Sequence, residues 1–416
     1  MRRITRSSRR PIGRSSSIRT TFFILSFVAT CRLLQPTPTW MTYPSSLRAS
    51  PTSGGFQHYL DIALDLASLE PSEVLATMEQ IDPFQTKAFD ILLSQKETAL
   101  KRTLTIDEIK DIFPCPRLDE RITLPDARVD QKAKDFRNGK HGTFLFFQHL
   151  RKAGGTNFCS LAENNLPEKA QPAYYCMPDR EWKEKKGAGR LHSWSNEEIT
   201  TRMSKQGFRI AGNEWEYFDP SRHFDLPAVF ATSFRKPIDR ALSQFRFECI
   251  EDRGCIIKDV HKWWEKRVDL WNVYTKTFAD PPGGARNQFN GTEQRREMMA
   301  TAIDTLSKFH IVLSMEWLAY AAPQVRSILG FNDVSALTTR VRPHINQAKR
   351  DDRQEHNSLG SASIKKASWD PKEYLDAAQY KKMSEDLALD EILTEVARRM
   401  FLERLVCNDL GGGVAI

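Results

Sequence analysis

Two short stretches hold residue types that together could grip a doubly charged anion. Positions 152–156 read Lys-Ala-Gly-Gly-Thr, and positions 235–243 read Arg-Lys-Pro-Ile-Asp-Arg-Ala-Leu-Ser. In the first, Gly154 and Gly155 let backbone approach a ligand closely, Lys152 offers a point charge, and Thr156 adds a hydroxyl. In the second, Arg235 and Ser243 offer a guanidinium and a hydroxyl eight positions apart. The chemistry implied is recognition of phosphate or sulfate esters, a task that backbone N–H groups at a helix N-terminus share with arginine and lysine.

The elements around these residues fit that task. Phe144 to Phe147 is an aromatic, apolar run, as in a parallel strand buried on both faces. Phe158, Leu161 and Ala162 follow the glycines at helical spacing, so the first stretch reads strand, turn, helix. This is not a Walker A loop, in which Gly-Lys-Ser/Thr closes the loop, because Lys152 precedes the glycines. Val229 to Phe234 is a second strand. Pro237 suits the first turn of a helix whose apolar face is Ile238, Leu242 and Phe245. Either stretch alone also fits an ordinary strand–helix corner.

Lys-Ala-Gly-Gly-Thr after an apolar strand ending in His149 resembles the 5′-phosphosulfate loop of Golgi-type carbohydrate sulfotransferases, whose donor is 3′-phosphoadenosine 5′-phosphosulfate (PAPS). In that superfamily, strand-Arg-x-Pro-x-x-Arg-x-x-Ser is the site for the donor's 3′-phosphate, and residues 235–243 match it, although the family usually has Asp where this chain has Lys236. The resemblance spans roughly residues 140–407. It implies an α/β fold of P-loop-like, three-layer type with a central, mostly parallel sheet and the donor at the carboxyl ends of the strands. It further implies that backbone N–H groups of Ala153, Gly154, Gly155, Thr156 and Asn157 hold the 5′-phosphate and that Lys152 stabilises charge on the leaving and transferring groups. Arg235 and Ser243 then hold the 3′-phosphate, and no metal is needed. The acceptor is a glycan or polysaccharide hydroxyl.

Transfer to a hydroxyl needs a base. In the uronyl 2-O-sulfotransferase group that these motifs resemble, a Gly-His pair before the 3′-phosphate motif supplies it. This chain has Gly212-Asn213 at the corresponding place, and Asn cannot accept the proton. Glu214, next along, is the first candidate, with His149 and His192 as alternatives. By loose resemblance to the family's acceptor-side pattern, Arg286 and Asn287 are expected to touch the acceptor. Two rival readings stand beside this one: a magnesium-dependent nucleotide phosphotransferase in which Thr156 imitates the P-loop hydroxyl, and a non-catalytic glycan- or nucleotide-binding protein on the same fold.

The net charge of +8 over 416 residues does not signal a nucleic-acid partner. Residues 1–60 hold nine arginines and no other charged residue, so the remainder is close to neutral. The acid-free leader followed by the ten-residue run Phe22 to Cys31 is short for a transmembrane helix of about 20 residues. It reads as a signal peptide or a short signal-anchor, with residues 1–35 as leader and 36–56 as a Pro/Ser/Thr-rich linker. The expected location is the Golgi lumen as a type II membrane protein, with secretion or a plastid as alternatives. Residues 57–135 are expected to form a helical stem or cap, with helical patterns at Ala88 to Leu92 and Ile106 to Ile112, and 140–407 the sulfotransferase domain. Trp263, Trp264 and Trp271 lie in a helical pattern from Val260 to Tyr274 and are expected in the core. The polar stretch Asn346 to Ser368 is expected to be a loop able to fold over substrate. Beyond the leader there are six cysteines, an even number that permits disulfides in an oxidising compartment. Neither Cys nor His shows zinc-finger spacing, so no metal site is expected. One glycosylation sequon occurs at Asn290-Gly291-Thr292.

Overall fold

The apolar runs that precede the two motifs are neighbouring strands. In a computed structural model of the chain, β1 (Phe144–Gln148) pairs in parallel with β3 (Ala228–Phe234), with Phe144 opposite Ala228 and Gln148 opposite Thr232. The other edge of β1 takes β2 (Ile210–Asn213), and β4 (Ile311–Ser314) pairs with β3, so the order is β2-β1-β3-β4 with every pairing parallel. The structure describes residues 55–123, 130–171, 176, 190–191, 194–214, 216–251, 257, 259–279, 291–338 and 375–407. All of these fall in the unit formed by residues 44–416.

Every residue of β1 and β3 is buried, which explains why both read as unbroken apolar runs. Alternate residues feed two cores. Phe144, Phe146, Phe230 and Phe234 face one, and Leu145, Phe147, Val229 and Ala231 face the other. Helices close both faces. The chain before the sheet includes α1 (Gly55–Ser68), α2 (Pro71–Ile81), α3 (Thr86–Leu100) and α4 (Ile106–Ile112). α5 (Gln131–Arg137) leads into β1, and α6 (Gly155–Asn165) follows it. Between β1 and β3 come α7 (Asn196–Gln206) and the one-turn α8 (Pro220–His223).

After β3 the chain forms α9 (Pro237–Phe245), which runs into a π-helical turn at Arg246–Glu251, then α10 (Val260–Glu265), α11 (Val273–Ala279) and α12 (Thr292–Ser307). α13 (Ala322–Leu329) and the short α14 (Ser335–Thr338) follow β4, and α15 (Ala377–Asp386) and α16 (Ala388–Val406) close the domain. The first core takes α1, α7, α11, α12 and α16, and the second takes α5, α6, α13 and the end of α16.

Three expected elements differ in detail. The single helix expected over Val260 to Tyr274 is two helices separated by a 3-10 turn at Val268–Leu270. The sequence also predicts a helix from Trp317 to Leu329; it begins as a 3-10 segment, Met315–Tyr320, and restarts at Ala322 with Pro323 in its first turn. The pattern at Ala88 to Leu92 belongs to the longer α3. The helices before β1 share the sheet's two cores: Tyr59, Ile62 and Leu66 of α1 and nearby Phe84 pack in the first with Phe144 and Phe230, and Phe89 and Leu93 of α3 and Ile109 of α4 pack in the second. The backbone N–H groups of Ile122 and Thr123 bond the buried carboxylate of Glu403 on α16.

Disulfides join Cys115 to Cys407 and Cys159 to Cys176. Cys249 is also disulfide-bonded. Among the described residues no helix is long and apolar enough to cross a membrane. The leader and its apolar run, Cys255, Asn290 and the stretch Asn346 to Ser368 lie outside the described residues.

Candidate functional site

The turn after β1 is held at several points. The His149 N–H continues the ladder to the Asn213 carbonyl at 3.0 Å, and the Ala153 N–H donates to the Leu150 carbonyl at 3.1 Å. From β3, the Ser233 hydroxyl donates to the Ala153 carbonyl at 2.5 Å and the Thr232 hydroxyl to the Gln148 carbonyl at 3.0 Å. Lys152 takes a left-handed conformation, φ 66°, and Gly154 another at φ 96°. The ammonium of Lys152 lies over the Phe247 ring, 4.4 Å from its centroid, in the π turn that continues α9. The loop of the first motif thus reaches the segment that carries the second.

The two glycines are explained by packing. A Cβ at Gly154 would stand 2.0 Å from Met315 Sδ, and one at Gly155 would stand 1.8 Å from His149 Nε2. The His149 ring stacks on Phe147 at 5.5 Å. α6 starts at Gly155 without a side-chain cap, and its first backbone bond runs from the Phe158 N–H to the Gly154 carbonyl. The N–H groups of Gly155 and Thr156 therefore point out of the helix end without a helical acceptor. Ala153 does not belong with them, contrary to expectation, because its N–H is spent on Leu150 within the turn. The Asn157 side-chain amide is committed to the Ala336 carbonyl at 2.9 Å.

The β2 terminus explains the Gly-Asn pair. Asn213 is fully buried, and its amide donates to Gln148 Oε1 at 3.0 Å and to the Glu216 carbonyl at 3.2 Å. The Gln148 amide returns bonds to the carbonyls of Asn213 and Glu216, both at 3.1 Å. This paired-amide lock joins the end of β1 to the turn after β2. A neutral imidazole, with a single N–H, could not make both of the Asn213 donations.

Beside that lock opens a cavity of roughly 440 Å³. Glu214 and His149 line it together, with Arg151, Arg240, Arg267 and Tyr274 among the other walls. Glu214 Oε1 stands 3.6 Å from Arg151 Nε and 3.9 Å from His149 Nδ1. Burial pulls Arg151 below its ordinary range, with Glu214 opposing. Arg240 is 1 % exposed; it donates to the Leu270 carbonyl at 3.2 Å and faces the Tyr274 ring, while its Nε has no hydrogen-bond partner. Burial lowers Arg240 too. Arg267 is forked onto Asp269, both bonds 2.8 Å, and also pairs with Glu248; although burial opposes it, these carboxylates raise it. Burial pushes the Tyr274 phenol up, so it remains a donor, and it donates to the Arg235 carbonyl at 3.1 Å. Behind the cavity, burial brings Lys276 down to about 8, and its ammonium donates to the Val268 carbonyl at 3.3 Å.

The structure gathers Glu214 and His149 at one cavity. Lys152, Arg235 and Ser243 do not line it. Arg235 follows β3 directly, and Ser243 lies in the second turn of α9. Lys236, where the family usually has Asp, is 3.5 Å from Asp90 of α3, and its backbone N–H bonds Glu316 Oε1 at 3.0 Å. His192, Arg286 and Asn287 lie outside the described residues. Of the three tryptophans expected in the core, Trp263 and Trp264 are 3 % and 1 % exposed, with indole N–H groups on Glu248 and Asp386, whereas Trp271 is only partly buried against the same cluster. Sequence reading missed Arg151 and Arg240, although Arg151 adjoins Lys152 and Arg240 is the second arginine of the 235–243 stretch. Among the described residues no three His, Cys, Asp or Glu side chains are grouped to hold a metal.

Fold and site together define a parallel α/β protein with a charged cavity at the carboxyl edge of its sheet. No family model matches the chain, and no curated protein and no solved structure is similar to it.

Proposed function

We propose that the chain is a PAPS-dependent sulfotransferase acting on a hydroxyl of a glycan or polysaccharide, on a P-loop-like α/β fold. One observation carries this reading. The two motif strands, β1 and β3, are adjacent and parallel, and the chain leaves β1 towards β2 but leaves β3 towards β4, on the opposite side. The strand order reverses between them, and open parallel sheets bind ligands in the crevice at such a point. A nucleotide with charged groups at its 5′ and 3′ positions suits two anion sites on either side of that crevice.

In this reading the N-terminus of α6 takes the 5′-phosphate and Lys152 the charge shared between leaving phosphate and sulfuryl group. Arg235 and Ser243 take the 3′-phosphate. The cavity takes the acceptor. An acceptor oxygen attacks sulfur, its proton passes to Glu214, the bond from sulfur to the 5′-phosphate oxygen breaks, and adenosine 3′,5′-bisphosphate leaves. Catalysis is then chiefly positioning and charge stabilisation, as in loose phosphoryl transfer. His149, packed against Gly155 and 3.9 Å from Glu214, supports the loop and is the alternative base. The Cys115–Cys407 and Cys159–Cys176 disulfides support an oxidising compartment, in keeping with a lumenal enzyme held by its leader.

Asn213, locked in place by Gln148, cannot take a proton. That favours, as a second reading, a protein that binds the donor without transferring from it. Radiolabelled PAPS incubated with a panel of desulfated polysaccharides separates the two. Label in polysaccharide supports the transferase, and tight donor binding without label in any member supports the binder.

A further inference from the structure

The catalytic proposal leaves unexplained a partly buried arginine between Leu150 and the loop lysine. Lys152 and Arg151 are consecutive, yet the left-handed turn at Lys152 sends Lys152 over Phe247 while Arg151 lines the cavity with Glu214. The other cavity guanidiniums are engaged elsewhere. Arg267 is held by Asp269 and Glu248, and Arg240 lies against Tyr274 and the Leu270 carbonyl. Glu216 and Tyr217, from the segment of Glu214, also line the cavity wall, and neither is a cation. Among the described residues, Arg151 stands at ion-pair distance from Glu214, with His149 slightly farther.

Resting on the sulfotransferase reading, we infer that Arg151 is a positioning residue for Glu214: its guanidinium, 3.6 Å from the carboxylate, holds that group towards the cavity, which couples the donor loop to the base. Arg151 supplies the opposing charge from the same turn that carries Lys152, so a shift of the donor loop also moves the partner of the base. The reaction is unchanged in its balance. The acceptor proton goes to Glu214, and Arg151 neither gains nor loses one.

The test needs no knowledge of the acceptor, since water can take its place. Release of adenosine 3′,5′-bisphosphate and sulfate from PAPS is followed for the wild type, Glu214→Gln, Arg151→Gln, Arg151→Lys and the double Gln variant, along with thermal midpoints and calorimetric affinity for the bisphosphate. Glu214→Gln is expected to lower the rate about 10²–10⁴-fold. Arg151→Gln is expected to lower it at least about ten-fold. Arg151→Lys restores part of that loss, which a merely structural role would not require. The double variant is no slower than Glu214→Gln, since residues acting as a unit are not additive. Bisphosphate affinity stays within about two-fold throughout. Additive losses, no rescue by Arg151→Lys, or an Arg151→Gln deficit that follows weakened bisphosphate binding would overturn the inference while leaving the transferase reading intact. A fully active Glu214→Gln, or a wild type that releases no bisphosphate, would overturn the reading beneath it.

Discussion

Asn213 and Glu214 divide one task between neighbours. The first is a buried structural amide tied to Gln148, and the second faces a cavity with Arg151 and His149. Residue type alone disqualified Asn213 as a base and drew attention to Glu214. What Asn213 does instead was not legible, because its partner is 65 positions away. Arg151 was hidden for a related reason. Its neighbour Lys152 has the same charge and stood in the recognisable position, and only the left-handed backbone at Lys152 separates their directions. Replacing Lys152 by Ala removes a side chain that stacks on Phe247 at the surface of the turn, and the fold should persist. The expected result is loss of PAPS turnover with a thermal midpoint within a few degrees of wild type; unchanged turnover at saturating donor would remove Lys152 from the site.

The elements were the more readable level. Unbroken apolar runs announced β1 and β3, Pro237 announced the start of α9, and α4 occupies the expected Ile106–Ile112. The glycines show where reading stopped. Gly154 and Gly155 suggested close approach of a ligand, yet the space beside each is filled by Met315 and by His149, which no local pattern reveals. Gly155→Ala should therefore destabilise the domain by about 1–3 kcal/mol, the usual cost of overpacking, read as a lower urea midpoint. Gly154→Ala should cost at least as much, since its φ of 96° also disfavours a side chain.

At the start of α5, Asp130 accepts from the N–H groups of Lys132 and Ala133 and lies 3.0 Å from His310 Nε2. The His310 bond, the largest influence, holds the carboxyl down at about 2. A depressed carboxylate adds stability above its unfolded value of about 3.9 and loses it as pH falls from there through about 2. Urea midpoints between pH 5 and pH 2, at roughly unit steps, should fall more steeply for wild type than for Asp130→Asn, and parallel curves would refute the link.

Across the whole molecule, the parallel α/β class followed from alternating strand and helix patterns, whereas the strand order did not. No local signal states that β2 lies outside β1, or that β1 and β3 touch. Nor did composition show that the helices before β1 are part of the main core; Tyr59 and Phe84 pack there, and Arg399 of α16 lies 4.9 Å from the Tyr59 ring centroid. The Cys115–Cys407 bridge closes this arrangement across 292 positions. Replacing both cysteines by Ser should cost about 2–5 kcal/mol, seen as a lower denaturation midpoint, with bisphosphate affinity unaffected because the bridge is remote in the chain from both motifs.

The central claim is that two neighbouring strand ends form one site for a nucleotide with phosphate at both ends. Calorimetric titration of the intact protein with adenosine 3′,5′-bisphosphate and with adenosine 5′-monophosphate, repeated on Arg235→Ala, tests it most directly. The account predicts that wild type prefers the bisphosphate by about 1.5–3 kcal/mol, the worth of a hydrogen bond to a charged group, and that Arg235→Ala removes most of this preference. Equal affinity of wild type for the two nucleotides, or binding of neither, would contradict it.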